Sequence, residues 1–216
     1  MKDLEDVACN ICGSTRFERK HYPIRSGFLV QCTQCGLYYA NPRRTEHLQA
    51  IANDATPTAR YEAKTLNLRG RLREFNQILD RVEAIKPAPG ALLDIGCYDG
   101  FFLREAQRRG WECAGVEPNR GGASYARSEL GLNVKQCALE AAGFDAQSFD
   151  VATVLAVLEH VPDPCALLVN IRAVLKDDGL LIVIVPTIPF YLPFIGSKWR
   201  MFIGDHYYFF NDASMA

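Results

Sequence analysis

Asp94-Ile95-Gly96-Cys97-Tyr98-Asp99-Gly100 sets two acids and two glycines in one short run, and Glu117 follows in Gly115-Val116-Glu117-Pro118-Asn119. A carboxylate closing the strand after such a loop can accept both hydroxyls of a ribose. A diphosphate wants backbone amides and the positive end of a helix, and Asp94 and Asp99 would repel one. The glycines also depart from the GxGxxG spacing of a dinucleotide loop. The expected chemistry is recognition of a nucleoside ligand that is cationic rather than phosphorylated. The competing reading is that Asp94 and Gly96 merely make a strand-to-helix turn.

A second constellation lies near the start of the chain. Cys9-Asn10-Ile11-Cys12 and Cys32-Thr33-Gln34-Cys35 are two CxxC pairs, each followed directly by glycine, Gly13 and Gly36. Each pair brings two thiolates to one ion from one side, and two pairs complete a tetrahedron of soft ligands suited to Zn²⁺. Glycine after the second cysteine suits a knuckle turn with positive φ. Four thiolates close the coordination sphere, so the expected zinc is structural. A redox dithiol is the weaker alternative, because such motifs come singly beside a βαβ unit. Cys97, Cys113, Cys137 and Cys165 show no ligand spacing and read as small buried residues.

These residues need elements to hold them. Phe17 to Val30 is apolar enough to form a hairpin over the metal, and Asn41-Pro42-Arg43-Arg44 reads as the turn that ends the module. From about Arg60 to Lys86, Leu68, Leu72, Phe75, Leu79 and Val82 form one apolar helical stripe. Arg69, Arg71, Arg73 and Arg81 around it read as a solvated face, the alternative being contact with an anionic substrate. Pro87-Ala88-Pro89-Gly90 stops that helix.

An alternating pattern follows. Strands are expected at Ala91–Ile95, Trp111–Val116, Leu132–Cys137, Phe149–Val157 and Leu180–Val185. Helices are expected at Phe101–Arg109, closed by Gly110, and at Asn119–Leu130, closed by Gly131. A third, capped by Asp163-Pro164, should end at Asp177-Asp178-Gly179. The fold class is α/β, a Rossmann-like parallel sheet with five strands visible, preceded by a small zinc-ribbon-like module and a linking helix. The expected segments are 1–45, 46–88 and 89–216.

Composition bounds the function. The 216 residues carry 49% apolar side chains and a formal net charge of −1, so a packed core is expected and a global pull toward nucleic acid is not. The first residues carry no apolar secretory run. Gly179–Gly196 is apolar but contains Pro186, Pro189 and Pro193, which favours a buried strand and loop over a membrane span. A soluble, cytoplasmic protein is expected.

S-adenosylmethionine meets the loop's requirement: it has no phosphate, and its sulfonium and ammonium suit nearby carboxylates. The ordered set Asp94–Gly100, Glu117, Phe149-Asp150-Val151, Leu158-Glu159-His160-Val161-Pro162-Asp163-Pro164 and Leu175-Lys176-Asp177-Asp178-Gly179 resembles the class I S-adenosylmethionine-dependent methyltransferases. Among these it is most similar to the bacterial type with an N-terminal four-cysteine zinc module. The resemblance implies that Asp94, Gly96, Cys97, Tyr98 and Gly100 cradle the methionine part and that Glu117 binds the ribose. It further implies that Ala138 and Leu139 line the adenine pocket and that Ala156 belongs to the cofactor site. Tyr98 departs from the family's middle glycine.

Methyl transfer from a sulfonium is an in-line displacement that needs alignment, exclusion of water and, for a hydroxyl acceptor, a base. His160, after the fourth strand, is the first candidate base, and His206, in a segment similar to the family's late histidine–aromatic motif, is the second. The run Pro189–Tyr208 reads as a lid or acceptor wall, or as core packed on the zinc module. The family fold adds two antiparallel strands beside the fifth, for which no sequence remains. The fifth strand would then be an exposed edge, calling for a longer natural domain, a homodimer or another partner. The expected activity is methylation of a small-molecule acceptor, a saccharide or secondary metabolite. The rivals are an RNA methyltransferase and a non-catalytic cofactor-binding scaffold.

Overall fold

Strands covered on both faces need continuous apolar runs, and the chain supplies them after residue 90. The structure, a computed structural model, describes residues 4–24, 26–44, 68–189 and 206–215. These divide into two compact units: residues 1–50, 156–167 and 184–216 in the first, and 51–155 with 168–183 in the second. The three segments expected from sequence are thus distributed over two units, with the linking helix in the second and residues 206–215 in the first.

The second unit is built on strands β5 (Ala91–Ile95), β6 (Glu112–Val116), β7 (Val134–Lys135), β8 (Phe149–Leu155) and β9 (Leu175–Ile184), in the order β7-β6-β5-β8-β9. The β5–β6, β5–β8 and β6–β7 pairs are parallel. This is the expected Rossmann-like α/β sheet. Helix α1 (Leu68–Ile85) buries Leu79 and Val82 completely and sets Phe75 edge-on against Phe102, with ring centroids 5.5 Å apart. Helices α2 (Phe101–Arg108) and α3 (Arg120–Ser128) add Phe102, Leu103, Ala106, Ala123 and Ala126 to the same core. The Asn119 side chain caps α3 by accepting from the Gly122 N–H at 2.8 Å. The expected start of α1 near residue 60 lies outside the described residues.

Three sequence expectations change here. The third strand is two residues long, not the six of Leu132–Cys137. Helix α4 (Pro164–Val174) ends before the Asp177-Asp178-Gly179 stop, and β9 begins at Leu175. The charges of that segment are held by partners instead of ending a helix: Lys176 pairs with Asp150, Asp177 with Arg172 and Asp178 with Lys86. Among the described residues β9 is the last strand on its side of the sheet.

In the first unit, β1 (Leu4–Glu5), β2 (Phe17–Ile24), β3 (Gly27–Cys32) and β4 (Tyr38–Arg44) form an antiparallel sheet in the order β1-β4-β3-β2. The expected hairpin is β2–β3. Asn41-Pro42-Arg43-Arg44 is not a turn, because β4 runs through it beside β1. A register shift between Gly27 and Leu29 on β3 accommodates Pro42, which has no N–H to give the ladder. Strand β10 (Tyr208–Phe209) also pairs with β4, and Leu29 and Phe209, both fully buried, form the centre of this unit's apolar cluster. The short helix α5 (Asp212–Met215) follows. No helix among the described residues is long and apolar enough to cross a membrane. Residues 190–205 of the expected lid lie outside the described residues.

Candidate functional site

Asp94 sits one residue from the carboxyl end of β5, in register with Gly115 of β6 and Thr153 of β8. It is buried, and the Thr153 hydroxyl donates to its Oδ1 at 2.6 Å. Burial pushes the Asp94 carboxyl up to about 7; the Thr153 hydrogen bond opposes this, and the charges of Glu117 and Asp99 add to it. The chain then turns through three residues with positive φ, Gly96 (72°), Tyr98 (49°) and Gly100 (78°). The Gly96 and Cys97 amides both donate to the Val116 carbonyl, at 2.8 and 3.1 Å, which ties the loop to the end of β6. Tyr98 bears the cost of left-handed backbone in a residue with a full side chain, a kind of strain that concentrates at ligand clamps.

Glu117 fixes the other wall. Its Oε2 accepts from the Tyr98 N–H at 2.8 Å and its Oε1 from the Asn119 N–H at 2.7 Å. Burial raises its carboxyl, against those two amides. Each carboxylate oxygen keeps further acceptor capacity, so hydroxyls of a ligand can still be bound. The start of α3 lies close to the same loop: a Cβ on Gly122 would stand 2.9 Å from the Tyr98 carbonyl oxygen.

Asp99 behaves differently from expectation. It is buried and forms a two-pronged ion pair with Arg71 of α1, at 2.7 and 2.8 Å. Arg71 also lies over the Phe75 and Phe101 rings, so it does not belong to a solvated face. The loop's negative character therefore rests on Asp94 and Glu117. Leu139 is buried in a single turn of 3₁₀ helix, Leu139–Ala141, and half-buried Ala138 precedes it. Ala156 directly follows β8, exposed and with φ of 57°. A cavity of about 270 Å³ opens beside Ala91, Glu112 and Phe149 at the amino ends of the strands, and no candidate residue lines it.

In the first unit, His160 and His206 meet edge to face, with ring centroids 4.6 Å apart and planes at 72°. Glu159, which the sequence reading did not single out, joins them, and burial pushes its carboxyl up to about 7. The main chain holds this group. The Tyr207 N–H donates to the Glu159 carbonyl at 2.7 Å, and the Ser26 hydroxyl donates to the His206 carbonyl. The first cysteine knuckle supports the segment that follows. Asn10 donates to Asp163 at 2.9 Å and accepts from the Cys165 N–H at 3.2 Å, while Arg43 and the Tyr208 hydroxyl donate to the Pro162 carbonyl.

The four knuckle thiols gather as the spacing predicts. Cys9 and Cys35 sulfurs are 3.4 Å apart, Cys12 and Cys32 sulfurs 3.5 Å, and all four lie within 4.8 Å of one another. Gly13 and Gly36 have φ of 69° and 78°, and their amides donate to the Cys9 and Cys32 carbonyls. Burial raises the Cys9 thiol. Burial works the same way on Cys32, but the backbone amides of Cys35 and Gln34 together with the Cys12 and Cys35 thiols outweigh it and bring that thiol down to about 7. Of the other cysteines only Cys97 is buried; Cys113, Cys137 and Cys165 are half-buried, contrary to expectation.

Residues 67–216 match a family model described as a methyltransferase domain. The chain is 34% identical over 116 residues to a ubiquinone biosynthesis O-methyltransferase of Hahella chejuensis, covering 50% of this chain and 49% of the relative. A protein of the same name from Coxiella burnetii is 32% identical over 95 residues, covering 42% and 41%. The chain spans about half the length of the curated relatives it matches. Among solved structures it resembles the plantazolicin methyltransferase BpumL in complex with SAH, with a TM-score of 0.56, 17% identity, and 74% of this chain and 66% of that one covered. It also resembles Streptomyces venezuelae DesVI, with a TM-score of 0.52, 21% identity, and 62% and 59% covered. At these identities the likeness to solved structures is one of fold.

Proposed function

The chain belongs to the methyltransferase domain family, and we propose that it transfers a methyl group from S-adenosylmethionine to an oxygen of a small molecule. The observation that carries this reading is Asp94, a buried carboxyl pushed up to about 7 whose hydrogen-bond partner is the neutral Thr153 hydroxyl. Such a group repels a phosphate and gains from a cation, which the ammonium and sulfonium of this cofactor supply. Asp94 and the Gly96–Gly100 turn, with Cys97 and Tyr98, would hold the methionine part. Glu117 would accept the ribose hydroxyls, Ala138 and Leu139 would border the adenine, and Ala156 is a further cofactor-binding candidate. The names of the relatives support an oxygen acceptor.

When bound, S-adenosylmethionine would supply an electrophilic methyl group to the acceptor oxygen and would leave as a neutral thioether. His160, with His206 as the second candidate, would take the hydroxyl proton. The four thiols at Cys9, Cys12, Cys32 and Cys35 fit a structural Zn²⁺, supported by their close approach and by the knuckle amides. A cytoplasmic location and a second copy of the chain along the β9 edge, where Ile184 is 43% exposed, complete the proposal. Calorimetry with S-adenosylmethionine tests binding, and a panel of hydroxyl acceptors tests turnover. His160→Ala should slow transfer and leave cofactor affinity nearly intact; an equal loss of both removes His160 as base, and no binding at millimolar ligand removes the reading.

A further inference from the structure

Glu159, His160 and His206 bring one carboxylate oxygen and one ring nitrogen from each histidine within 4.8 Å of one another. Glu159 is 1% exposed, and its Oε2 accepts no hydrogen bond. None of the ion pairs among the described residues includes it. A buried carboxylate oxygen without a donor is costly, and the cost persists only where surrounding structure or a ligand sustains it. Here the surrounding structure is the main chain. Tyr207 N–H to the Glu159 carbonyl (2.7 Å), His160 N–H to the Val157 carbonyl (2.9 Å) and the Ser26 hydroxyl to the His206 carbonyl fix the main chain at all three residues.

We propose that Glu159, His160 and His206 form a binding site for one divalent transition-metal cation, separate from the four-cysteine zinc. Two imidazoles and one carboxylate make a borderline donor set, suited to Mn²⁺, Fe²⁺, Co²⁺ or Zn²⁺ and poorly suited to Ca²⁺ or Mg²⁺, which ask for oxygen. Metal–ligand bonds of about 2.0–2.2 Å hold neighbouring donors roughly 3–4 Å apart. The three donor atoms, within 4.8 Å of one another, stand close to that spacing. Three protein ligands leave coordination positions open, as in catalytic metal sites. An oxygen of the methyl acceptor could fill one of these and be polarised there, so that the histidines would serve the acceptor by holding the cation, in place of acting as base, and the hydroxyl proton would pass to water. That last step rests on the methyltransferase reading; the cation site does not.

The test uses the full chain with zinc retained at its cysteines and other metals dialysed away, titrated with Mn²⁺. Electron paramagnetic resonance counts bound cation, and nuclear magnetic resonance follows the ring protons of the four histidines. The expected result is one Mn²⁺ per chain, with selective broadening of the His160 and His206 signals. Glu159→Gln and His160→Ala should each weaken binding by at least about tenfold, the scale that even indirect partners of a metal ligand carry. His160 is half-exposed, so its substitution should leave the fold intact even if Glu159→Gln does not. No bound Mn²⁺, broadening at His21 or His47 instead, or unchanged affinity in His160→Ala would overturn the proposal. Calorimetry with S-adenosylmethionine on the same preparation reads the methyltransferase proposal separately, so either can fail alone.

Discussion

Asp94→Asn should make the ligand-free protein more stable while weakening its hold on S-adenosylmethionine. The two side chains have the same shape, and the Thr153 hydroxyl can still donate to the oxygen that remains. The wild-type carboxyl is raised from 3.8 to about 7. Between those values the unfolded chain has released the proton and the folded chain keeps it, so stability falls as pH rises from about 4 to about 7 and then levels off. The whole gap corresponds to roughly 4 kcal/mol once the group is charged. A neutral amide carries no such penalty, so the variant's advantage should grow by about 2–3 kcal/mol between pH 5 and pH 8. In a chain of this size each kcal/mol moves Tm by about 2–4 °C, so the melting difference should widen by roughly 4–12 °C. Affinity for S-adenosylmethionine should meanwhile drop about tenfold to a hundredfold, the scale of a lost hydrogen bond to a charged group. Thermal melts at the two pH values and calorimetry at pH 8 check both halves. An equal melting difference at pH 5 and pH 8, or a less stable variant at pH 8, refutes the electrostatic argument.

Two further outcomes are expected. Arg71→Met strands the Asp99 carboxylate, which is 1% exposed, and should cost about 2–4 kcal/mol in urea unfolding, somewhat below a fully enclosed pair because the Arg71 side chain is 26% exposed. Adding Asp99→Asn should recover most of that, and a single variant within about 0.5 kcal/mol of wild type would show that the pair is not structural. Stripping the proposed zinc with a thiol-modifying reagent should release one ion per chain and reduce the β-sheet dichroism of the first unit. Release without spectral change would make that ion dispensable to the fold.

Local signals carried the sequence reading well where the chemistry is local. Strand β5 coincides with Ala91–Ile95, and α2 and α3 end close to Gly110 and Gly131, because apolar periodicity and helix-closing residues act over a few positions. The cysteine knuckles were legible because CxxC spacing and the following glycines are themselves the geometry. What was not legible depends on residues far apart in sequence. Nothing near Tyr208-Phe209 announces that it pairs with Tyr38 and Tyr39, and nothing near Arg71 announces Asp99. Thr153 could have been flagged as the lone hydroxyl in the apolar run Val151–Leu155. Glu159 could have been flagged as an acid beside a candidate base, but its burial follows from hydrogen bonds with a segment almost fifty residues away.

The contrast among the acids supports the proposed preference of the loop for a cation. Where the chain supplies a positive partner the carboxylate is settled: Asp99 has Arg71, and Asp150 has Lys176, which holds it below the ordinary carboxylate range. Asp94 and Glu117 receive only a hydroxyl and backbone amides, and both remain raised. Asp99 has an arginine partner, whereas Asp94 has none among the described residues. Leaving Asp94 without one keeps a free-energy penalty in the empty loop that a bound cation removes. The proposed ligand then stabilises the fold by mass action, about 2.7 kcal/mol at a hundredfold excess over Kd, and the relief of the Asp94 penalty is contained in that Kd. At a fixed ligand concentration the ligand-induced rise in Tm should therefore be smaller in Asp94→Asn, more so at pH 8 than at pH 5, and raising the ligand in proportion to the new Kd should restore it.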